Sequence, residues 1–160
     1  MRANLAQNEP KRLAMWDENH VYEQMIAKNE GHDKFVLHDG PPYANGPIHL
    51  GHAQNKISKD IINRYWSMRG YQTPYVPGWD GQPIEHKVET MLGTEKFNEL
   101  PTEKIRELCR KMAVEQVDTQ RQGFKRLGVL GEWNNPYLTY VNDYDATDIV
   151  IFKAIYDAGA

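Results

Sequence analysis

The sequence predicts an α/β fold containing part of a doubly wound parallel sheet, preceded by an N-terminal helix. Two observations carry that expectation. Residues 38–60 (HDGPPYANGPIHLGHAQNKISKD) pass from a glycine- and proline-rich run into a helical pattern, and a short apolar run stands on either side of that helix. Strand, glycine-rich turn, helix, strand is a βαβ unit, with parallel strands and a right-handed crossover.

From Glu9 to about Ile26 the pattern is helical, with Pro10 suited to a first turn and Leu13, Trp16 and Met25 on one face. Residues 28–34 (KNEGHDK) read as a polar loop. Phe35-Val36-Leu37-His38 reads as a buried strand, ended by Asp39-Gly40-Pro41-Pro42 because proline cannot donate to a ladder. In the helix that follows, Ile57, Ile61, Tyr65 and Met68 recur at helical spacing and form the expected apolar face, until Gly70 stops it. Thr73 to Val76 is the second strand, stopped by Pro77-Gly78, and Ile84 to Leu92 is a further helix. Thr102 suits the cap of a long helix whose stripe runs through Ile105, Leu108, Cys109, Met112, Ala113, Val117, Phe124 and Leu127. Gly128 and Gly131 punctuate its end, Trp133 to Tyr140 is a turn with a short extended piece, and Asp145 to Ala158 is a last helix carrying Ile149, Ile151, Phe152 and Ile155. Two strands are fewer than a doubly wound sheet needs, so the chain reads as an incomplete domain.

Of the 160 residues, 40% are hydrophobic and 26% charged, the balance of a globular protein with a core. A net charge of −3 gives no overall attraction for phosphate backbones, so a nucleic-acid partner would need a local patch or residues elsewhere. The lone Cys109 rules out an intrachain disulfide or a four-cysteine zinc site and fits a reducing compartment. With no bilayer-length apolar run and no apolar signal core at the start, the expectation is a cytoplasmic protein with no membrane partner.

The chemistry concentrates in Asn45 to His52, at the carboxyl end of the first strand, where open α/β sheets bind ligands. A helix start offers N–H groups and the positive end of a dipole to anionic phosphate. His49 and His52, one turn apart, point the same way, and their ring N–H groups suit charge that builds on an attacked phosphorus. Gly51 leaves room for a base or sugar against the backbone. Three plainer readings stand beside this one: a half-site for zinc lacking an evident third ligand, ordinary half-buried histidines, or a tight turn from Gly40 to Gly46.

DGPPYANGPIHLGHAQNKISKD (39–60) resembles the signature region of the class I aminoacyl-tRNA synthetases, with His49-Leu50-Gly51-His52 in the place of the His-Ile-Gly-His motif. Asp39 to Gly46 ahead of it, and Asn55-Lys56-Ile57 with Lys59-Asp60 behind, are similar to the bacterial isoleucine-specific branch rather than the valine or leucine ones. YVPGWD (75–80), RLGV (126–129) and PYLT (136–139) extend the likeness over nearly the whole chain.

The resemblance implies a partial Rossmann-like catalytic domain, with 1–34 an N-terminal helical segment and 35–160 the first half of the domain, truncated near the start of an editing insertion. It implies that ATP, accompanied by Mg2+, and isoleucine give isoleucyl-adenylate and pyrophosphate, and that the aminoacyl group then moves to tRNA(Ile). His49 and His52 take the catalytic role, Asn45, His49, Gly51 and His52 the ATP site, and Gly40, Pro41 and Asp80 the amino-acid site, Asp80 holding the α-ammonium. No metal site and no zinc module fall within the chain, tRNA contacts lie outside it, and the full-length enzyme is expected to be a monomer. Two departures matter. Trp79-Asp80 is followed directly by Gly81-Gln82-Pro83-Ile84-Glu85, two residues shorter than the family pattern, which at about 3.3 Å of reach per residue could displace Asp80. The downstream Lys-Met-Ser-Lys-Ser signature has no counterpart, so the chain is expected to be a catalytic-domain fragment with little or no activity alone. A small nucleotidyltransferase with a His-x-Gly-His phosphate site and a non-catalytic module are the competing classes.

Overall fold

The computed structural model describes residues 3–81 and 84–159. Among them the chain forms α1 (Leu5–Glu18), α2 (Val21–Lys28), α3 (Leu50–Met68), β1 (Gly78–Trp79), α4 (Glu85–Leu92), α5 (Thr94–Glu99), α6 (Thr102–Arg126), β2 (Tyr137–Leu138) and α7 (Asn142–Asp157), a mostly helical α/β arrangement with a small parallel sheet. Two compact units result. The first holds Met1–Asp39, Ile48–Pro77 and Gln120–Asn135, and the second Gly40–Pro47, Gly78–Thr119 and Pro136–Ala160.

In the first unit, the single helix expected over 9–26 is two helices, broken at Asn19-His20. Asn19 and His20 are weak helix formers, and the Asn19 side chain donates to the Met15 carbonyl (2.7 Å), closing α1 early. His20 then starts α2 from a left-handed conformation, φ 49° and ψ 48°. Pro10 lies inside α1 rather than in its first turn, since the helix begins at Leu5. It removes one backbone bond, to the Ala6 carbonyl.

The two expected strands flank α3 but are extended segments rather than regular strands. One parallel bridge, Lys34 with Gln72, lies just ahead of both, where the Phe35 N–H donates to the Gln72 carbonyl (2.9 Å) and the Gln72 N–H to that of Asp33 (3.0 Å). Pro41, Pro42, Pro74 and Pro77 withhold the donors that would lengthen the ladder.

The largest departure is the orientation of α3. Ile57, Ile61, Tyr65 and Met68, expected to pack inward, are exposed, whereas Lys56 (2% exposed), Asp60 (9%) and Asn63 (3%) are buried. Polar partners account for Lys56, which pairs with Asp39, and for Asp60, whereas the buried Asn63 amide meets no hydrogen-bond partner among the described residues. Asp60 accepts the Leu130 N–H (2.9 Å) and pairs with Arg64 (2.6 Å), which donates to the Gly128 carbonyl (2.8 Å), so this stripe ties α3 to the turn after α6. Tyr75, Phe124, Val129 and Trp133 form the apolar core beside it, with the Phe124 and Trp133 rings stacked at 6.1 Å. Each such side chain contributes roughly 1.5–3 kcal/mol by leaving water.

In the second unit, β1 and β2 pair in parallel, Gly78 with Tyr137 and Trp79 with Leu138, and Tyr43 bridges Asp80 alongside. A Cβ at Gly78 would lie 2.1 Å from the Tyr137 ring, so this register requires glycine. Ala44, Trp79, Ile84, Val88, Ala113 and Val117 make the core. The stripe along α6 is thus buried where its residues are small or central, while α5 is an element the pattern did not announce. Every residue of α7 is exposed, including Ile149, Ile151, Phe152 and Ile155, which the sequence placed on a packing face.

Candidate functional site

His49, Gly51 and His52 come together in the first unit as a reciprocal cap on α3. His49 is the N-cap residue, and its extended backbone (φ −126°, ψ 177°) turns the ring over the first turn. The Gly51 N–H donates to His49 Nδ1 (3.1 Å), and the His49 N–H donates to His52 Nδ1 (3.2 Å). An imidazole whose Nδ1 accepts a backbone N–H carries its proton on Nε2 when neutral. Both rings therefore turn an Nε2–H donor away from the helix. They are stacked, centroids 3.9 Å apart and planes 28° from parallel, so the two donors lie side by side.

The cap also uses the His49 and Gly51 amides that the sequence offers to a phosphate, moving donor duty from backbone to imidazole. Gly51 has a local role as well: a Cβ there would sit 3.0 Å from His49 Cε1 and press the ring off its seat. Burial, then the nearby His49 and Lys56, pull the His52 pKa below its ordinary value, which favours the neutral ring that the cap requires.

Below this cap lies a buried charge cluster. Lys56, one turn beyond His52, pairs with Asp39, whose other oxygen takes Lys59 (2.7 Å), and the Lys56 ammonium also donates to the Tyr75 hydroxyl (3.2 Å). Its nitrogen stands 5.2 Å from the Phe124 ring centroid, and His52 meets that same ring edge-on at 6.3 Å. Burial raises the Asp39 pKa, but two ammonium groups outweigh it and hold the carboxyl below its ordinary range. Burial pulls the Lys56 ammonium down, with Asp39 opposing. The sequence names Asp39 and Lys56 only as parts of a motif. Their signal was the polar spacing His52, Lys56, Asp60, Asn63, which runs along α3 beside the apolar one.

Gly40, Pro41, Asn45 and Asp80 belong to the second unit. Two backbone bonds hold Asp80 beside the 42–44 stretch: its N–H donates to the Pro42 carbonyl (2.9 Å), and its carbonyl accepts the Ala44 N–H (3.0 Å). The Thr139 hydroxyl donates to Asp80 Oδ1 (3.0 Å) while accepting the Gly81 N–H (3.0 Å), so β2 orients the carboxylate. Thr139 is a further residue that sequence reasoning left without a role. Gly40 is exposed, with nothing within 4 Å of a Cβ placed there, and Pro41 and Asn45 are half-buried in the same stretch. Gln82 and Pro83, in the shortened turn after Asp80, lie outside the described residues. No described helix is long and apolar enough to cross a membrane.

Residues 11–160 match the family model described as tRNA synthetases class I (I, L, M and V). An isoleucine–tRNA ligase of Limosilactobacillus fermentum is 56% identical over 161 residues, covering 99% of this chain and 17% of the relative. One of Caldicellulosiruptor saccharolyticus is 53% identical over 95% of this chain and 17% of its own length, and one of Fervidobacterium nodosum 52% over 99% and 18%. The crystal structure of a ternary complex of Agrobacterium radiobacter K84 agnB2 LeuRS, with tRNA and LeuAMS, superposes with a TM-score of 0.74 at 21% identity, over 99% of this chain and 18% of that one. This likeness shows a shared fold. The chain spans under a fifth of the length of each of these relatives. With the family model matched from residue 11 onward, the chain belongs to the class I tRNA synthetases.

Proposed function

We propose that this chain is the ATP- and isoleucine-binding part of a cytoplasmic isoleucine–tRNA ligase that is monomeric at full length, with residues 35–160 forming the first half of its Rossmann-like catalytic domain. The reciprocal His49–His52 cap carries the reading. Two neutral imidazoles held side by side with Nε2–H outward suit the oxygens of a triphosphate, where they bind without an ion pair and strengthen as charge grows at the α-phosphorus. Asn45 and Gly51 complete the ATP side. On the amino-acid side, Asp80 holds the α-ammonium of isoleucine, kept in orientation by Thr139, and Gly40 with Pro41 lines the side-chain pocket.

The chemistry is the attack of the isoleucine carboxylate on the α-phosphorus, giving isoleucyl-adenylate and pyrophosphate. No covalent protein intermediate is required, only positioning and charge relief. Mg2+ accompanies the ATP, carried mainly by phosphate oxygens. Transfer to tRNA(Ile) uses regions outside the chain. The relatives' similarity at 52–56% identity, all named isoleucine–tRNA ligases, supports the isoleucine branch over the nucleotidyltransferase class.

Calorimetry with ATP and Mg2+ tests this. The parent chain is expected to bind weakly, and His49→Ala with His52→Ala to bind at least tenfold more weakly, the scale of losing donors to a charged group. Equal binding by both overturns the reading. Isoleucine-dependent exchange of pyrophosphate into ATP by the chain alone is expected at or barely above background. The two histidines serve one side of the phosphates, and each missing preorganised donor on the other costs about 10²–10³ in kcat.

A further inference from the structure

We propose that Lys56 is a positioning residue of the histidine pair: clamped between Asp39 and Tyr75 one turn beyond His52, its buried ammonium holds the His52 ring in the orientation that keeps Nδ1 on the His49 N–H and Nε2–H toward the phosphates. This deepens the function proposed above and rests on it.

Three observations converge. Lys56 is 2% exposed and cannot leave its seat without costing the fully buried Asp39 one of its two ammonium partners. His52 and the Lys56 ammonium face the same Phe124 ring, 6.3 Å and 5.2 Å from its centroid, so the imidazole and the cation share one fully buried neighbour. The Lys56 ammonium also donates to the Tyr75 hydroxyl (3.2 Å), a second buried partner that fixes its position.

A buried ion pair is a poor device for stability alone, because an apolar pair of similar volume often serves as well. A fixed cation beside His52 has a separate effect: it disfavours the imidazolium. A protonated His52 would carry a hydrogen on Nδ1, lose the His49 N–H bond and open the cap. The titratable groups acting on His52 include its capping partner His49 and, on α3, Lys56, and the α6 residue against it, Phe124, is uncharged. Lys59 also holds Asp39 but does not act on His52, which makes it the control.

The test is the His52 imidazole titration, followed by NMR in the 160-residue chain, together with ATP binding. In Lys56→Met the midpoint is expected to rise by about half a pH unit, the effect of removing one cation a helical turn away. ATP affinity should fall by up to about twofold to threefold at pH 6, the most that such a shift changes the neutral fraction, and hardly at pH 8. Lys59→Met should leave the His52 midpoint in place. Because Lys56→Met leaves the buried Asp39 carboxylate with Lys59 alone, Asp39→Asn with Lys56→Met is measured as well, and it should show a rise of the same sign. An unmoved His52 midpoint in a folded variant overturns the proposal. So does unfolding of the double variant, which would make the pair a folding element. A raised midpoint with unchanged ATP affinity at both pH values overturns the histidine–phosphate reading instead.

Discussion

Asp39 answers to two ammonium groups while fully buried, and this ratio governs how the first unit responds to acid. Its folded pKa lies below the ordinary 3.8, so it contributes stability that is complete above that value and is lost as pH falls through the folded value. His52 has the same sign at higher pH. Its folded pKa lies below the ordinary 6.5, so the neutral ring stabilises above 6.5 and loses that contribution as pH falls through the folded value. The thermal midpoint is therefore expected to hold steady from pH 8 to about 7 and to fall in two stages, one below 6.5 and one below 3.8. His52→Gln should remove the first stage and leave the second. A single acid transition shared by parent and variant would refute this assignment. The histidine pair was legible in the sequence from type and spacing. That the two rings cap each other was not, because capping depends on the extended φ and ψ of His49, which a pattern of residues does not encode.

Helix α3 shows why an element can be found correctly and oriented wrongly. Two stripes run along it at the same period, one apolar through Ile57, Ile61, Tyr65 and Met68, one polar through Lys56, Asp60 and Asn63. Periodicity reports both and ranks the apolar one as buried by default. Lys56 and Asp60 are buried because Asp39 and the Leu130 N–H lie opposite them, and these come from segments distant in sequence, while Asn63 is enclosed with its amide unpartnered. The break between α1 and α2 has a local cause and yields a direct prediction. A histidine with φ 49° occupies a region where a Cβ costs about 1 kcal/mol and glycine does not suffer. His20→Gly is expected to stabilise the chain by about 0.5–1 kcal/mol, seen as a higher urea midpoint at constant m-value. A lower midpoint would show that the His20 side chain supplies more than the backbone costs.

At the scale of the molecule, α7 exposes apolar side chains on every side, with Ile149 at 69% and Phe152 at 70% accessibility. Side chains so placed contribute little to the stability of the chain that bears them. Ile149→Ser, Phe152→Ser and Ile155→Ser together are expected to change the unfolding free energy by no more than about 0.5 kcal/mol per site. They should also reduce concentration-dependent self-association in sedimentation, since contiguous exposed apolar surface promotes contact between copies. A large loss of stability would mean that α7 packs on its own chain.

Periodicity, glycine and proline placement and one motif determined a good part of this protein without any coordinates. They located α3, α4, α6 and α7 to within a few residues, the parallel sense of the 33–35 and 72 pairing, the histidine pair at a helix start and the synthetase resemblance. These are local properties, set by neighbours within a few positions along the chain. Tertiary structure alone decided which face of α3 is buried, that the two flanking strands remain extended segments with one bridge just ahead of both, that α7 stays exposed, and that Thr139 reaches Asp80. Each of those depends on a partner tens of residues away: Thr139 lies 59 positions from Asp80, and Leu130 lies 70 from Asp60. A buried polar group is stable only where such a partner arrives, and no stretch of sequence states that it will.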